Sequence, residues 1–271
     1  MSQVTNLSKD FELLKEAVLK AGEIAMEKFG SGEFKSWLKD GNEPVTEIDL
    51  KVNKSLKETL IGARPDYGWL SEESTDDKAR LKKEFVWVVD PIDGTRAYIK
   101  GTPDFSISVA LLENNVPVLG VIFAPALEKF YEAAKGSGCF LNGEKVEVSR
   151  AKNLAGMRLQ SDPGYIGNTP RWHHPWPDIN VSKFQSFALR LAAFSAGEAD
   201  AVLAARPKSE WDIAAGSILI AEAGGILCDQ NGEPFAFNQE ITRLHQIVAV
   251  TSPLKEEFLK IVNARVSKSN P

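Results

Sequence analysis

The chain has 271 residues, 43% of them hydrophobic and 25% charged, which is the composition of an ordinary soluble enzyme with a substantial core. A net charge of −5 at pH 7 makes nucleic acid an unlikely main partner, because such binding relies on excess Lys and Arg. No apolar run approaches the roughly 18 residues of a membrane span, and the first residues lack signal-peptide features, so we expect a cytoplasmic protein with no membrane partner.

The first half of the sequence predicts two helices followed by strands. Apolar residues at spacings of three and four predict an amphipathic helix over residues 7–29, and a second helix is expected from about Thr46 to near Gly62. The short run "YGWLSEES" predicts a strand, and the charged residues 75–84 predict a mobile, solvated loop or helix face. From residue 85 the pattern becomes that of strands: "FVWVVD", a hairpin around "ENN", and two short strands joined by a turn at "NGE".

The second half of the sequence alternates helices and strands. "FALRLAAFSAG" and "IAAGSILIAEAGG" predict helices that end at glycines and are each followed by a strand, and "LKEEFLKIVNAR" predicts a terminal helix. We therefore expect an α+β protein of stacked layers, with an antiparallel-rich half over residues 1–150 and a helix–strand half over 151–271, joined in one continuous unit.

Cysteines and histidines give no sign of a metal site or a disulfide framework. Cys139 and Cys228 lie far apart and are expected to be free and buried. His173 and His174 are adjacent, so on most backbones they point in different directions and make a poor chelate. Their proline-rich surroundings predict a surface loop.

The segment "VVDPIDGT" places two carboxylates close together. Asp90 follows a run without alternation, so both faces of that strand are expected to be buried, and a carboxylate there costs several kcal/mol unless it is paired. No Lys or Arg lies in "PIDGT", so a divalent cation shared by Asp90, Asp93 and the Ile92 carbonyl would supply the missing charge. Gly94 would allow the tight turn, and oxygen-only ligands favour Mg²⁺ or Mn²⁺. A simple Asp-Pro turn is the alternative.

Three further points in the sequence carry acids near apolar runs. "LSEES" places Glu72 and Glu73 at the end of the short strand, and "EWDIAAG" places Asp212 at the start of an apolar helix. For Asp212 the alternative is helix capping, since Asp is favoured near a helix N-terminus. Asp49 in "PVTEIDL" falls within a predicted helix, where the alternative is a solvated charge.

Together these segments resemble a known family. "EPVTEID", "SEES", "WVVDPIDGT" and "EWDIAAGSILIAEAGG", in this order and at these separations, are similar to the signature segments of the inositol monophosphatase superfamily of phosphatases, over residues 10–262. The resemblance implies a layered αβαβα sandwich, frequent homodimers, inhibition by Li⁺, and a small phosphate ester as substrate. It also implies two or three Mg²⁺ ions, or Mn²⁺, held by Glu72, Asp90, the carbonyl of Ile92, Asp93 and Asp212.

The same resemblance implies roles in catalysis. Residues matching Asp49 and Thr95 orient the attacking water, with Asp49 as the base and Glu72 counted with them among the catalytic residues. The backbone N–H groups of Gly94 and Thr95, at the start of a helix predicted at "GTRAYI", would hold phosphate oxygens. Two close metals could neutralise the phosphate, generate the nucleophile and stabilise the leaving oxygen.

The substrate remains open at this stage, with a lean to a 3'(2'),5'-bisphosphate nucleotide such as 3'-phosphoadenosine 5'-phosphate. Ala204 stands about where inositol phosphatases carry an acid that binds inositol hydroxyls, and Arg190 stands where the nucleotidase branch tends to have Lys. Arg206 and Lys208 are further candidate substrate contacts, and ordinary surface charges are the alternative for all three cations. Inositol-1-monophosphatase, a sugar bisphosphatase, and a phosphatase-fold regulator that contacts RNA polymerase or RNA are the alternative functions.

Overall fold

The computed structural model describes residues 2–39, 43–167, 176–204 and 206–264, and the side chains from residue 7 onward within these ranges. His173 and His174 lie outside them. Cys139 and Cys228 are both buried and free, as predicted. Of the helices in the described ranges, none has the length and apolar character needed to cross a membrane.

The N-terminal part of the chain forms two helices with a small hairpin between them. The elements are α1 (Ser2–Met26), β1 (Ser36–Lys39), β2 (Glu43–Thr46) and α2 (Glu47–Ala63). The first predicted helix thus ends three residues early, at Met26, and the β1–β2 hairpin was not foreseen. The start of α2 agrees closely with the prediction, because Thr46 is its N-cap and forms a capping box with Asp49.

A seven-stranded sheet follows. Its strands lie in chain order, with β3 and β4 parallel and all other neighbours antiparallel. Three short strands follow residue 129 where two were expected. The elements of this region are β3 (Gly68–Ser71), β4 (Phe85–Asp93), α3 (Thr95–Lys100), β5 (Ser106–Glu113), β6 (Val116–Ala124), β7 (Lys129–Ala134), β8 (Gly138–Leu141) and β9 (Glu144–Val146).

The C-terminal half builds a mixed five-stranded sheet in the order β11-β10-β12-β16-β14, and β13 and β15 form a separate antiparallel pair. The two helices predicted in this half are each followed by a strand, and the predicted terminal helix is present. Its elements are β10 (Arg158–Gln160), α4 (Pro163–Ile166), β11 (Asn180–Ser182), α5 (Phe187–Ser195), β12 (Ala201–Leu203), β13 (Lys208–Ser209), α6 (Ala214–Glu222), β14 (Ile226–Cys228), β15 (Arg243–Leu244), β16 (Val248–Val250) and α7 (Lys255–Asn263).

Three apolar cores join these elements into five layers. Successive residues of β4 point to opposite faces of its sheet, so Trp87 packs with α1 and α2 while Val88 packs with α5 and α6. The other side of the α5–α6 layer covers the five-stranded sheet, where Val202 joins the same core. On the far face of that sheet, Leu159 packs with Phe258 of α7. The order α–β–α–β–α is the predicted layered sandwich, and it buries both faces of β4, as expected.

The charged segment 75–84 is exposed at most of its positions, as predicted for a solvated stretch, but not at Arg80. It contains a short 3₁₀ helix, Ala79–Lys82, in which Arg80 is only 1% exposed. The Arg80 guanidinium donates two hydrogen bonds to Asp76 and one to Asn238 from the other half of the chain. The prediction was wrong here because a distant segment covers the charge, which a local count of Lys, Asp and Glu does not reveal.

Candidate metal centre

Three of the predicted ligands meet in the structure. Asp90, Asp93 and Asp212 each offer one carboxylate oxygen, and these oxygens lie within 4.8 Å of one another. The pairing of β4 with β5 is irregular between Asp90 and Asp93, close to where the strand ends. Asp212 closes a short 3₁₀ turn, Glu210–Asp212, just before α6. Carboxylates from both halves of the chain thus converge on one point.

Asp90 gives the clearest sign of a cation. It is buried, and among the described residues neither of its carboxylate oxygens has a hydrogen-bond partner. Burial raises the pKa of Asp90 well above its usual value, and the nearby carboxylates of Glu72 and Asp93 raise it further. A buried carboxyl group with only acids around it fits a divalent cation, and an all-oxygen set fits a hard ion such as Mg²⁺.

Asp93 is positioned by the N-terminus of α5. Its Oδ2 accepts hydrogen bonds from Ser186 Oγ at 2.7 Å and from the Ala188 backbone N–H at 2.6 Å. Ser186 is also the N-cap of α5, and its hydroxyl lies 2.8 Å from that of Ser106. One oxygen of Asp93 is therefore fixed by the protein, and the other can bind a cation. Sequence analysis missed Ser186, although a serine before an apolar helical run is a recognisable cap signal.

Asp212 takes part in capping, although not of α6 itself: the N-cap of α6 is Ile213, and Asp212 belongs to the capping box of the 3₁₀ turn that precedes it. Its Oδ2 accepts the Ser209 backbone N–H at 2.6 Å within a capping box, while its Oδ1 lies 3.6 Å from Lys208 Nζ. Capping thus leaves one carboxylate face for other partners. The cap fixes the orientation of Asp212 before α6 begins.

Glu72 lies beside the three-carboxylate group and not within it. It follows the end of β3, and its Oε1 is 3.1 Å from Lys39 Nζ of the β1–β2 hairpin. Burial raises the pKa of Glu72 to about 8, with Lys39 opposing the shift. Glu73 also pairs with Lys39. Lys39 was missed because the sequence around it was interpreted as a featureless polar loop.

Asp49 and Thr95 are in direct contact. The Thr95 hydroxyl donates to Asp49 Oδ1 at 3.1 Å and lies 3.2 Å from the carbonyl oxygen of Ile92. The other oxygen of Asp49 accepts the backbone N–H and the hydroxyl of Thr46. Asp49 is 1% exposed, so the solvated-charge alternative is excluded. Burial raises its pKa to about 6, although the hydrogen bonds from Thr46 oppose the shift.

Gly94 lets the two halves of the chain approach closely. Its φ of +95° is unfavourable for a residue with a side chain, and a Cβ there would lie 3.1 Å from the backbone nitrogen of Ser186. Gly94 caps α3, and together with Thr95 it lines the cleft that opens in front of the carboxylates. Glycine, predicted here for a tight turn, is thus required both by the backbone conformation and by the close approach of Ser186.

The sequence model of the inositol monophosphatase family matches residues 6–267. The chain belongs to this family. An inositol-1-monophosphatase of Rhizobium meliloti is 34% identical over 81% of the chain and 85% of that protein, and a fructose-1,6-bisphosphatase/inositol-1-monophosphatase of Thermotoga maritima is 33% identical over 92% and 94%. A solved Thermotoga maritima IMPase superposes with a TM-score of 0.80 at 29% identity, covering 94% of this chain and 96% of that one.

Membership of the inositol monophosphatase family makes the protein a metal-dependent phosphatase that acts on phosphoric monoesters. Its layered fold is the fold of its solved relatives. The acidic cluster described above could bind the metal that the family requires.

The cleft of this family member has a volume of about 1180 Å³ and is rich in cations. Arg190 on α5 is 9% exposed, and its Nε donates to the Phe184 carbonyl at 2.6 Å, while burial lowers its pKa. Lys208 lies over the Phe187 ring, with Nζ 4.7 Å from the centroid. The predicted substrate contacts Arg190, Arg206 and Lys208 all line this cleft, as does Ala204. Four further cations of the lining were not predicted: Lys39, Arg96, Lys183 and Arg243.

The cleft also has an apolar edge on the β1–β2 hairpin. Trp37 and Leu38 line it and are 43% and 62% exposed. Large apolar side chains with this much exposure at a polar cleft offer a surface for an apolar part of a ligand. No role was predicted for these two residues from the sequence.

Proposed function

We propose that the protein hydrolyses a small phosphate ester that carries a second anionic group, with Mg²⁺ as its cofactor. The observation that carries this proposal is the presence in one cleft of the carboxylate cluster and of Arg190, a largely buried cation. An arginine at such a position matches a phosphate or carboxylate better than it matches a neutral sugar hydroxyl. Among such esters, a 3'(2'),5'-bisphosphate nucleotide is the substrate that we favour.

Two or three Mg²⁺ ions would be held by Glu72, Asp90, the Ile92 carbonyl, Asp93 and Asp212. When bound, they would neutralise the phosphate, promote ionisation of the attacking water and stabilise the leaving oxygen. The carboxylate of Asp90, which has no hydrogen-bond partner among the described residues, supports this assignment.

Asp49 and Thr95 would prepare the attacking water. The hydroxyl of Thr95, which points to Asp49 in the structure, would aim the water, and the Asp49 carboxylate would accept its proton. A carboxylate whose pKa is raised by burial is a stronger base than an exposed one. The backbone N–H groups of Gly94 and Thr95 would bind oxygens of the scissile phosphate.

Arg190, Arg206 and Lys208 would bind the second anionic group. All three line the cleft, and Lys208 already neighbours Asp212. The exposed face of Trp37 would suit a nucleobase, since aromatic rings stack on every base.

Inositol 1-phosphate and fructose 1,6-bisphosphate are the alternative substrates. The relatives described above are named for these two compounds, which favours them. Ala204, a small apolar residue in the cleft wall, offers no acceptor for a sugar hydroxyl, which disfavours inositol phosphate. A purely regulatory role is less favoured, because the catalytic carboxylates and Thr95 are all present.

The test is phosphate release from 3'-phosphoadenosine 5'-phosphate, inositol 1-phosphate and fructose 1,6-bisphosphate, each with Mg²⁺ and with EDTA. The Asp90→Asn variant, purified in parallel, reports any contaminating phosphatase. We expect Mg²⁺-dependent release that is fastest with the nucleotide. Preference for inositol phosphate would contradict the role given to Arg190 and Ala204, and no Mg²⁺-dependent release from any ester would contradict the proposed function.

A further inference from the structure

A polar network with a buried centre lies outside the described lining of the cleft, and the catalytic roles above do not use it. We define the Arg80 network as Asp76, Arg80, Glu210, Asn238 and Gln239. At its centre, Arg80 donates from Nε and Nη2 to the two oxygens of Asp76, at 3.1 and 2.8 Å. Its Nη1 donates to Asn238 Oδ1 at 2.6 Å, and Nη2 also donates to the Gln239 carbonyl at 2.9 Å.

Glu210 holds the same segment from the other side. It is fully buried, and its two carboxylate oxygens accept the backbone N–H groups of Asn238 and Gln239, at 2.6 and 2.8 Å. Asn238 adopts a left-handed conformation with φ of +56°, and its amide donates to the carbonyl of Arg80 at 3.3 Å. Residues 238–239 are thus held between Arg80 and Glu210, and every charged group of the Arg80 network has a hydrogen-bond partner.

The Arg80 network ends next to two of the residues assigned to metal binding. Glu210 begins the 3₁₀ turn that ends at Asp212, and the backbone N–H of Glu210 donates to the Thr242 carbonyl at 2.9 Å. At the opposite end, Asp76 lies four residues after Glu72 on the loop that leaves β3. The Arg80 network therefore connects the loop of Glu72 with the turn of Asp212, which come from opposite halves of the chain.

Stability alone is a weak reason for a chain to keep such a network. Buried ion pairs contribute little beyond what apolar replacements of similar volume contribute, because taking the charges out of water is costly. Their hydrogen bonds do fix geometry, and the partners that orient metal ligands have large effects on metal affinity. The described residues that line the cleft include neither Arg80 nor Glu210, so any effect on the metal must act through position.

We propose that Arg80 and Glu210 are positioning residues that set the separation between Glu72 and Asp212 and thereby the affinity of the site for divalent cations. This inference rests on the proposed function, because it requires that these carboxylates bind metal. Arg80 fixes the Glu72 loop through Asp76, and Glu210 fixes its own turn against residues 238–239. Neither residue contacts the substrate.

The test compares Glu210→Gln and Arg80→Lys with the wild-type protein by equilibrium dialysis of Mn²⁺, which needs no turnover. Glu210→Gln keeps the shape of the side chain but replaces one of its two acceptor oxygens by an amide group. Arg80→Lys keeps the positive charge but loses the planar guanidinium that hydrogen-bonds Asp76 and Asn238 at the same time. We expect each to raise the Mn²⁺ dissociation constant by about 10- to 100-fold. The KM for the phosphate ester at saturating metal should stay within about twofold.

Arg158→Lys is the matched control. Arg158 pairs with Asp200 at 2.7 Å on the five-stranded sheet and does not line the cleft in the described structure, so its replacement should lower stability in urea without changing Mn²⁺ binding. An unchanged Mn²⁺ dissociation constant in folded Glu210→Gln and Arg80→Lys would overturn the inference, as would an equal loss of affinity in Arg158→Lys. A wild-type protein that binds no Mn²⁺ would instead overturn the proposed function and the inference together.

Discussion

The Asp93 carboxylate accepts a hydrogen bond from the Ser186 hydroxyl at 2.7 Å, so a candidate metal ligand at the end of the first-half strand β4 is held by the helix cap of the second half. The Ala188 N–H binds the same oxygen. A carboxylate at a helix N-terminus is stabilised by the free N–H groups there. The position of α5 between the two sheets therefore also determines the orientation of Asp93.

Ser186→Ala tests this coupling. The variant removes the N-cap of α5 and one of two hydrogen bonds to Asp93, so we expect a loss of about 1–2 kcal/mol in the free energy of unfolding and weaker Mn²⁺ binding. Ser217→Ala is the control, because among the described residues the Ser217 hydroxyl bonds only within α6, to the Ala214 carbonyl. Urea unfolding and Mn²⁺ dialysis give both quantities. Equal Mn²⁺ affinity in the two variants would contradict the coupling.

Asp90→Asn should separate stability from metal binding. A neutral amide costs less to bury among carboxylates than a charge does, so we expect the metal-free variant to be more stable than the metal-free wild type, by on the order of 1 kcal/mol. Mg²⁺ at about 100 times its dissociation constant should stabilise the wild type by about 2.7 kcal/mol and the variant far less. Urea unfolding in EDTA and in Mg²⁺ measures this. A variant that is destabilised in EDTA but still gains the full Mg²⁺ effect would show that Asp90 is not a ligand.

Asp49→Asn should remove the base that accepts the proton of the attacking water. It should also remove the part of the dependence of folding stability on pH that comes from Asp49. The pKa of Asp49 in the folded protein, about 6, exceeds the unfolded value of about 3.9, so this group stabilises the fold fully only below pH 4 and loses that contribution as pH rises through 6. In EDTA, the stability of the variant relative to wild type should rise by on the order of 2 kcal/mol between pH 4 and pH 7.

The activity of Asp49→Asn should fall by about 100-fold or more if Asp49 is the base. Exposed Asp66→Asn is the control and should leave the rate unchanged. Wild-type turnover in Asp49→Asn would show that Asp49 is not the base, whatever the dependence of the variant's stability on pH.

Arg190→Gln should discriminate between substrates. The loss of a largely buried guanidinium that meets a second phosphate should raise KM for the bisphosphate about 10- to 100-fold, because hydrogen bonds to charged groups are worth about 1.5–3 kcal/mol. A simple monophosphate ester should be hydrolysed with nearly unchanged kcat/KM. Arg150→Gln, at a side chain 93% exposed, controls for loss of a positive charge. Equal losses on both esters would show that Arg190 supports the fold of the site and not the second anion.

The parts of the site that sequence predicted are those with short-range causes. A buried strand that ends in Asp90 and Asp93 predicts a compensating cation, wherever the strand packs. The capping box of Thr46 and Asp49 fixes the start of α2 within a few residues. Both predictions depend on residues that are neighbours in sequence. The structure agrees with both, since Asp90 and Asp93 are buried and Thr46 is the N-cap of α2.

The parts that sequence did not predict depend on contacts between distant segments. Lys39 pairs with Glu72, Ser186 holds Asp93, and Arg80 is covered by Asn238. Each partner lies more than thirty positions away in sequence, and a surface-like pattern of charges gives no local sign of it. The order of layers, by contrast, followed from the family resemblance, since the alternation of helices and strands predicted only that α and β layers stack.

The most direct test of the account is phosphate release by the wild-type protein and by Asp93→Asn across a Mg²⁺ titration that starts in EDTA. The amide oxygen that this substitution introduces can still accept the hydrogen bonds of Ser186 and Ala188, so the variant should fold while lacking one carboxylate charge. We predict release that depends on Mg²⁺ in the wild type and is lower by about 100-fold in the variant at every Mg²⁺ concentration. Wild-type release that persists in EDTA, or a variant as fast as the wild type, would contradict a metal-dependent phosphatase centred on these carboxylates.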